Sequence, residues 1–563
     1  RAADAQRELA RFQELRKQQA GAAIPEDLDW SFYSEVYEPM EHGRQTTVAH
    51  AKPKLVISHL APETEYQRAG LAVVDFNADG RPDLLVWTDS SVVIYRDGKE
   101  KVGDTGLEAV KSIAGVAPGD FNNDGFIDLA VLAPSGATLW ANQNGKFQQY
   151  PAQMPAGKYN KAVWLDYDHD YDLDLILLGA KSALARNNGS VGFSDMTADF
   201  PFVAGEATEA VTIDLMAFDN GIDLAVGYKD RTGVIYRDRM GGKYEAVDTP
   251  AIPQAVRNML AYDWNNDGWT DLAVSHLEYE QLRGLSEELE SSAMARYGSY
   301  EVCLLVNKEG ALTKDEHGFS LATAFPALVD FDNRGHADIL SAGEGLLFAK
   351  PNLGSTFSAD TLFVEGGPIA TRMVTADWDQ DGKKDLATLA FGGAVESLRN
   401  ETAPSHGWVS VSLEGVKNLK LAPGARVEVK AGHLYQKQTY TGVPLHFGLG
   451  DAKQIDTIRI TWPNGLIQNE TKQPVNQHLK FKEAQRLSGS CPMIFTWNGQ
   501  EFQFITDVLG VAPLGASLGD GVFFPVDHDE FIQIPGSALK AVNGKYEIRI
   551  TEELREVAYF DQV

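Results

Sequence analysis

The sequence predicts an all-β chain: a seven-bladed β-propeller, then small β-sandwich or barrel domains, with a short helix at the start. Three observations predict it. The acidic pattern Asp-x-Asn/Asp-x-Asp-Gly-x-x-Asp occurs four times without a flaw, and three imperfect copies lie between and beside these. The first positions of the seven copies fall at 75, 120, 166, about 215, 263, 330 and 377, a period near 45 residues with one longer step. The flanks are short apolar runs bounded by turn residues, which read as buried strands. A repeat of that length holding several strands marks a propeller, a ring that hides its sheet edges.

Residues 1–45 read as a helix and linker, because Leu9, Phe12 and Leu15 share one helical face. The chain opens on Arg1 without a methionine and shows no signal peptide, as expected of a trimmed N-terminus. The propeller is assigned to 46–403. Its long step holds the surplus segment 277–298, rich in Glu, Leu, Arg and Ala, which reads as an inserted helix. Residues 404–485 alternate strand-like runs with Gly and Pro turns, and 486–563 form a last β domain with Asn-Gly hairpin turns at Asn498-Gly499 and Asn543-Gly544. That domain stops at Val563 inside an apparent strand, so a longer natural chain is expected.

The motif is an oxygen cage. Calcium takes six to eight oxygen ligands, and acidic side chains at alternate positions of a curling loop supply them. Glycine at position 6 permits the sharp turn, since it has no Cβ to forbid positive φ. An aspartate at position 9 closes the cage from the next strand. The strict loops are Asp75, Asn77, Asp79 and Asp83; Asp120, Asn122, Asp124 and Asp128; Asp263, Asn265, Asp267 and Asp271; and Asp377, Asp379, Asp381 and Asp385. The loop of Asp166, Asp168, Asp170 and Asp174 keeps four carboxylates but has Tyr171 in place of glycine, and is still expected to bind. That gives about five Ca2+ sites. In the loop of Asp330, Asp332 and Asp338, Arg334 stands at position 5 and is expected to replace the metal with an internal ion pair. The segment from Asp214 to Asp223 keeps only Asp219 and Asp223 in register and reads as a relic. The competing reading of every copy is an Asp/Asn/Gly-rich turn without metal.

These residues resemble FG-GAP (VCBS-type) repeats, as in Val74-Asp75-Phe76-Asn77-Ala78-Asp79-Gly80 and Asp120-Phe121-Asn122-Asn123-Asp124-Gly125. The resemblance implies a propeller with calcium-binding loops, of the kind found in integrin α chains and secreted bacterial proteins. The later strings His406-Gly407-Trp408-Val409, Pro423-Gly424-Ala425-Arg426, His446-Phe447-Gly448-Leu449-Gly450 and Trp462-Pro463-Asn464-Gly465 look like an ASPIC/UnbV domain. Propeller followed by that domain is similar to the cartilage acidic protein family.

Net charge is −29, which disfavours nucleic acid and anionic membrane as partners even with the loops filled. No run of 18 apolar residues is present. Extracellular calcium modules are weak enough to fill only where calcium is plentiful, so a secreted, periplasmic or cell-surface chain is expected. Cys303 and Cys491 either pair or are two buried thiols. Sequons at Asn188, Asn400 and Asn469 are near the chance number. No nucleophile motif or phosphate-binding loop occurs, and the acidic–histidine run Asp527-His528-Asp529-Glu530 reads as an exposed loop before it reads as a metal or acid–base site. Trp264 and Trp378 hold position 2 of their loops, where Phe76, Phe121 and Phe331 also sit, and so read as packing residues rather than sugar platforms. Three functions remain: a calcium-binding interaction or scaffold protein with a protein or glycan partner; a propeller enzyme acting on polysaccharide or a secondary metabolite; and a structural subunit of a surface assembly.

Overall fold

The computed structural model describes Met40 and residues 50–66, 68–216, 221–277, 300–315, 319–321, 326–343, 346–354, 357–358, 362–364, 370–390, 393–403, 405–484, 493–507, 517–519, 522–523 and 533–551. Both expected helices, Asp219, Cys491 and the run 527–530 lie outside these residues. Among those described, regular structure is strand apart from two single-turn 3-10 segments. No helix there is long and apolar enough to cross a membrane.

Between residues 55 and 400 the strands form seven consecutive antiparallel sheets of the same plan. In sheet 1, Ala69–Val74, Asp83–Thr88, Ser91–Arg96 and Glu100–Lys101 follow one another in order. The first strands of sheets 2 to 7 are Gly115–Gly119, Lys161–Leu165, Ala207–Ile213, Val256–Tyr262, Ala327–Val329 and Ala370–Ala376. Sheet 7 takes its outer strand, Leu55–Ala61, from before sheet 1, pairing Leu55 with Asn400. The first and last parts of the propeller chain thus share one sheet, and neither end is left as a bare edge.

The apolar runs are the second strands. Leu84-Leu85, Leu129-Ala130, Leu175-Ile176 and Leu272-Ala273 are almost wholly buried, because each sheet is covered on both faces. The cores show by what. One cluster joins Leu85 and Ile94 of sheet 1 to Leu129 and Val131 of sheet 2. Similar clusters join sheets 2 and 3, 3 and 4, 4 and 5, 5 and 6, and 6 and 7. A seventh joins Ala387 and Leu389 of sheet 7 back to Leu84 and Val86 of sheet 1, which closes the ring.

Residues 407–482 make a β-sandwich. One sheet pairs Gly407–Glu414 with Leu445–Gly450 antiparallel and with Gln477–Lys482 parallel; the other orders Leu434–Thr439, Arg426–Ala431, Ile455–Thr461 and Ile467–Gln473. Val409, Val427, Phe447, Ile458 and Trp462 fill its core. The ring and the sandwich belong to one compact unit, and a second unit begins at Ala484. In that second unit Met493–Trp497 pairs with Phe502–Asp507 around the expected Asn498-Gly499 turn, and Val542 bridges Lys545 around Asn543-Gly544.

Candidate metal centres

Each acidic motif links the first and second strands of a sheet, and its backbone repeats from sheet to sheet. The position 1 carboxylate accepts two N–H groups across the turn: Asp75 from Asp79 and Gly80 at 3.1 and 2.8 Å, Asp120 from Asp124 and Gly125 at 3.0 and 2.8 Å, and Asp263 from Asp267 and Gly268 at 3.1 and 2.8 Å. In the last strict loop Asp377 accepts Gly382 N–H at 2.9 Å. The turn demands left-handed backbone at position 6, where Gly268 has φ 86°. Tyr171 adopts the same conformation at φ 68° without glycine's freedom.

The position 9 aspartate is the buried floor of the cage. Asp128 Oδ2 accepts Phe121 N–H at 3.2 Å and Oδ1 accepts Asn142 N–H at 2.7 Å. Burial, followed by the nearby loop charges, lifts Asp83 to about 7, Asp128 to about 8 and Asp271 to about 9. Burial also lifts Asp120 to about 6, and Asp263, Asp377 and Asp385 to about 7. Carboxylates gathered in low dielectric behave in this way, and Lys420 near Asp120 and Lys437 near Asp263 offset it only in part. Buried Asp271 Oδ2 and Asp377 Oδ1 meet no hydrogen-bond partner. Oxygens of Asp377, Asp379 and Asp381 all lie within 4.8 Å of one another, as do those of Asp166, Asp168 and Asp174. The residues therefore fit a hard divalent cation: all-oxygen donors, converging, with spare acceptor capacity.

The sixth loop supplies the internal control. Arg334, 1% exposed, turns its guanidinium into its own cage. Its Nη1 donates to Asp332 Oδ1 at 3.0 Å, and its Nη2 pairs with Asp338 Oδ1 and donates to the Asn352 carbonyl at 3.2 Å. The backbone cradle is unchanged, with Asp330 accepting Arg334 and Gly335 N–H at 3.1 and 2.7 Å. The expected internal ion pair is present.

The third loop is a hybrid that the sequence did not reveal. Arg186, from the third strand of sheet 3, reaches Asp168 Oδ2 at 2.8 Å and Asp170 Oδ2 at 3.1 Å. His169 leans the other way, its Nε2 2.8 Å from Asp238 Oδ2 in sheet 4. Asp168 Oδ1 remains unpartnered.

The fourth loop corrects the sequence register. Ile213 pairs with Asp223, as Val74 pairs with Asp83. Asp214 therefore holds position 1, and the loop is one residue longer than the motif. Asp214 is buried and held below its ordinary value: Lys437 and Arg426 overcome the effect of burial. Lys437 Nζ lies 2.6 Å from its Oδ2 and Arg426 Nη1 lies 3.3 Å from its Oδ1.

Those two cations come from the sandwich, which packs on the loop face of the ring. Lys437 Nζ also donates to Gly268 O at 3.1 Å in the fifth loop. In the second loop, Lys420 N–H donates to Asn123 Oδ1 at 2.7 Å and its Nζ to Asp124 O at 3.2 Å. In the sixth, His446 Nε2 meets Asn333 Oδ1 at 2.8 Å and Gly450 N–H meets Asn333 O at 2.9 Å. Any side chain at Gly382 in the seventh loop would strike the Trp408 indole. The one available signal was the set Lys420, Arg426 and Lys437 in an acidic chain.

A second missed feature is an asparagine near the end of the third strand of five sheets. Its N–H binds the position 9 aspartate of its own sheet, and its side chain donates to the position 2 or equivalent carbonyl of the preceding sheet. Asn142 reaches Phe76 O at 2.7 Å, Asn187 Phe121 O at 2.7 Å, Asn307 Leu215 O at 3.0 Å, Asn352 Trp264 O at 2.8 Å and Asn400 Phe331 O at 2.9 Å. Asn400 is fully buried in this role, so its sequon is not available in the folded chain. Trp264 and Trp378 are buried between sheets, as read from their place in the motif. Cys303 is buried.

Comparison with known proteins agrees with both resemblances. The FG-GAP-like repeat model matches residues 75–131 and 120–177, and the ASPIC and UnbV model matches 415–488. The chain carries FG-GAP-like repeats and an ASPIC/UnbV domain. No curated protein matches significantly. Among solved structures, BBS1N in complex with ARL6DN is 10% identical over 63% of this chain and 99% of its own, at TM-score 0.41. An Agrocybe aegerita lectin described as recognising non-reducing terminal N-acetylglucosamine is 14% identical over 53% and 80%, at 0.38. The extracellular domain of the one-component system BT4673 from B. thetaiotaomicron is 12% identical over 75% and 52%, at 0.38. Likenesses this distant carry no functional argument.

Proposed function

We propose that this chain is a calcium-binding interaction scaffold that works outside the cytosol, at a cell surface or in secreted form. The ring presents a rigid body to a protein or glycan partner. The loops of Asp75, Asp120, Asp263 and Asp377 hold Ca2+, and that of Asp166 holds it more weakly because Arg186 already supplies charge. The observation that carries this reading is Arg334. In the sixth loop the internal cation sits among the ligand carboxylates; in the fifth and seventh, buried oxygens of Asp271 and Asp377 are left over. The same cradle therefore asks for positive charge in every sheet, and the sequence supplies it in only some.

When bound, the ion neutralises the converging carboxylates. The chain's own residues set the rest: position 1 ties the turn, position 9 ties the cage to the third strand, and the asparagines tie each cage to the preceding sheet. Sites with dissociation constants of about 10⁻⁴ to 10⁻³ M fill only outside the cytosol, which supports the proposed location.

Isothermal titration and elemental analysis of the full chain test this. Four equivalents in that range and a weaker fifth are expected. At tenfold excess over its dissociation constant each ion would add about 1.4 kcal/mol of stability. Melting temperatures that coincide in millimolar Ca2+ and in EGTA would sink the proposal.

A further inference from the structure

Sheet 5 brings together a second cluster of metal-ligating side chains, chemically different from the acidic loops. We propose that His276, Glu301 and Cys303 form a tetrahedral site for a borderline-soft divalent ion, Zn2+ by preference, with a fourth position open to solvent or to Lys314's place. His276 is on the second strand, Asp271–Leu277, and the other two are on the third, Tyr300–Lys308. His276 sits directly opposite Glu301 in the ladder, with Cys303 opposite Val274 two residues along. That alternation puts all three side chains on one face of the sheet.

Two of the separations match edges of a metal tetrahedron and the third approaches one. His276 Nε2 is 3.4 Å from Cys303 Sγ and 3.5 Å from Glu301 Oε2, and Cys303 Sγ is 3.8 Å from Glu301 Oε1. Zinc bonds of about 2.3 Å to sulfur and about 2.0–2.2 Å to nitrogen and oxygen, set at tetrahedral angles, require edges of about 3.6, 3.4 and 3.6 Å. The two distances to His276 Nε2 fall within about 0.2 Å of these; the 3.8 Å contact of Cys303 Sγ is to Oε1, the other Glu301 oxygen, and a single Glu301 oxygen lies within 4.8 Å of both other ligand atoms, so a small rotation of the carboxylate closes the face.

The imidazole is also prepared. Its Nδ1 lies 3.3 Å from Leu277 O, which can only accept, so with a metal bound the proton would reside on Nδ1 and Nε2 would be the ligand. A backbone carbonyl on the far nitrogen is the usual way a zinc-binding histidine has its tautomer and plane fixed. A positive charge already stands at the site: Lys314 Nζ is 3.2 Å from Glu301 Oε1. Its side chain is 53% exposed, so it can swing into water when the ion enters. Lys314 is to this cluster what Arg334 is to the sixth loop, except that Arg334 is locked in and Lys314 is not. On binding, the Cys303 thiol gives its proton to solvent and the thiolate becomes the ligand. Oxygen-only loops do not compete, because thiolate and imidazole select zinc over calcium.

Cobalt titration of the calcium-saturated full chain is the test. One Co2+ per chain should bind with a thiolate-to-cobalt charge-transfer absorption and intense tetrahedral ligand-field bands, and one equivalent of Zn2+ should displace it. C303S should lose the charge-transfer band, E301Q should lose ligand-field intensity, C491S should change neither, and K314M should bind severalfold more tightly. Circular dichroism and melting of each variant verify folding, and E301Q carries the test if C303S does not fold. A wild-type chain with no thiolate–cobalt band, or a band that survives in C303S, overturns the site.

Discussion

The fifth and sixth loops share one backbone and solve one electrostatic problem in two ways. Both tie a position 1 aspartate to two turn N–H groups and a position 9 aspartate to an asparagine. In the fifth, Asp271 is lifted to about 9 by burial and the charges of Asp263 and Asp267, and its Oδ2 has no partner. In the sixth, Arg334 sits among the acids, and Asp338 is raised by burial but drawn back by that guanidinium. Asp330 is still lifted to about 7 by burial, so even the internal cation compensates three carboxylates only in part. The difference teaches that the fold imposes the charge deficit and each sheet recruits its own remedy.

The largest expected effect is on the pH dependence of the chelated protein. Asp83, Asp120, Asp128, Asp263, Asp271, Asp377 and Asp385 have folded values of about 6 to 9 against an ordinary 3.8. Between about pH 4 and 8 the native state therefore holds more protons than the unfolded chain, and stability falls as pH rises. With calcium the carboxylates are held ionised, the sign reverses, and stability is lost as pH drops and protons displace the ion. Denaturant melts at pH 5 and pH 8, with EGTA and with calcium, should cross. Parallel slopes would show that the loops do not exchange protons for metal.

Next in size is Arg334→Ala. It leaves Asp330, Asp332 and Asp338 buried without their cation, a loss of about 3–5 kcal/mol for a broken buried pair. R334D would recreate the strict motif, and should be unstable in EGTA, recover in calcium and bind one more equivalent than wild type. A variant that gains no calcium dependence would mean that the two loops are less alike than their hydrogen bonds indicate. Arg186→Ala should be smaller, about 1.5–3 kcal/mol for hydrogen bonds to charged partners, and calcium should restore most of it because the third loop still offers Asp166, Asp168, Asp170 and Asp174.

The sequence exposed what repeats locally and hid what is assembled from distant strands. Alternate acids, the position 6 glycine and the apolar second strands lie within one short window, so loop chemistry and sheet count were legible. Arg334 was legible too, standing inside its own motif. Arg186 was not, because it reaches Asp170 from the third strand, 16 residues away. Lys437 was less so: its partner Asp214 lies more than two hundred residues earlier, and the extra residue in that loop concealed Asp214 as position 1. Such pairings depend on sheet geometry and on the sandwich packing against the loop face, neither of which has a local pattern.

The smallest effect concerns how the cages are linked. Sheets 2, 3, 5, 6 and 7 each reach back with an asparagine, but sheets 1 and 4 carry Asp97 and Asp238 there. Their N–H groups still bind Asp83 and Asp223 at 2.8 Å. An ionised carboxylate has no proton to donate, so the carbonyls of Trp378 and Tyr167 lose the link that their counterparts have; Asp238 instead accepts from His169. The ring thus has five fastened joints and two fastened differently, at sheets 7/1 and 3/4. Asn142→Ala removes one fastened joint, leaving Phe76 O and Ile127 O without that donor, at a cost of about 1–3 kcal/mol. Hydrogen exchange should then quicken in the strands flanking the 1/2 interface, toward the faster rates expected at 7/1 and 3/4. Uniform protection around the wild-type ring would show that face-to-face apolar packing, rather than these amides, sets the strength of each joint.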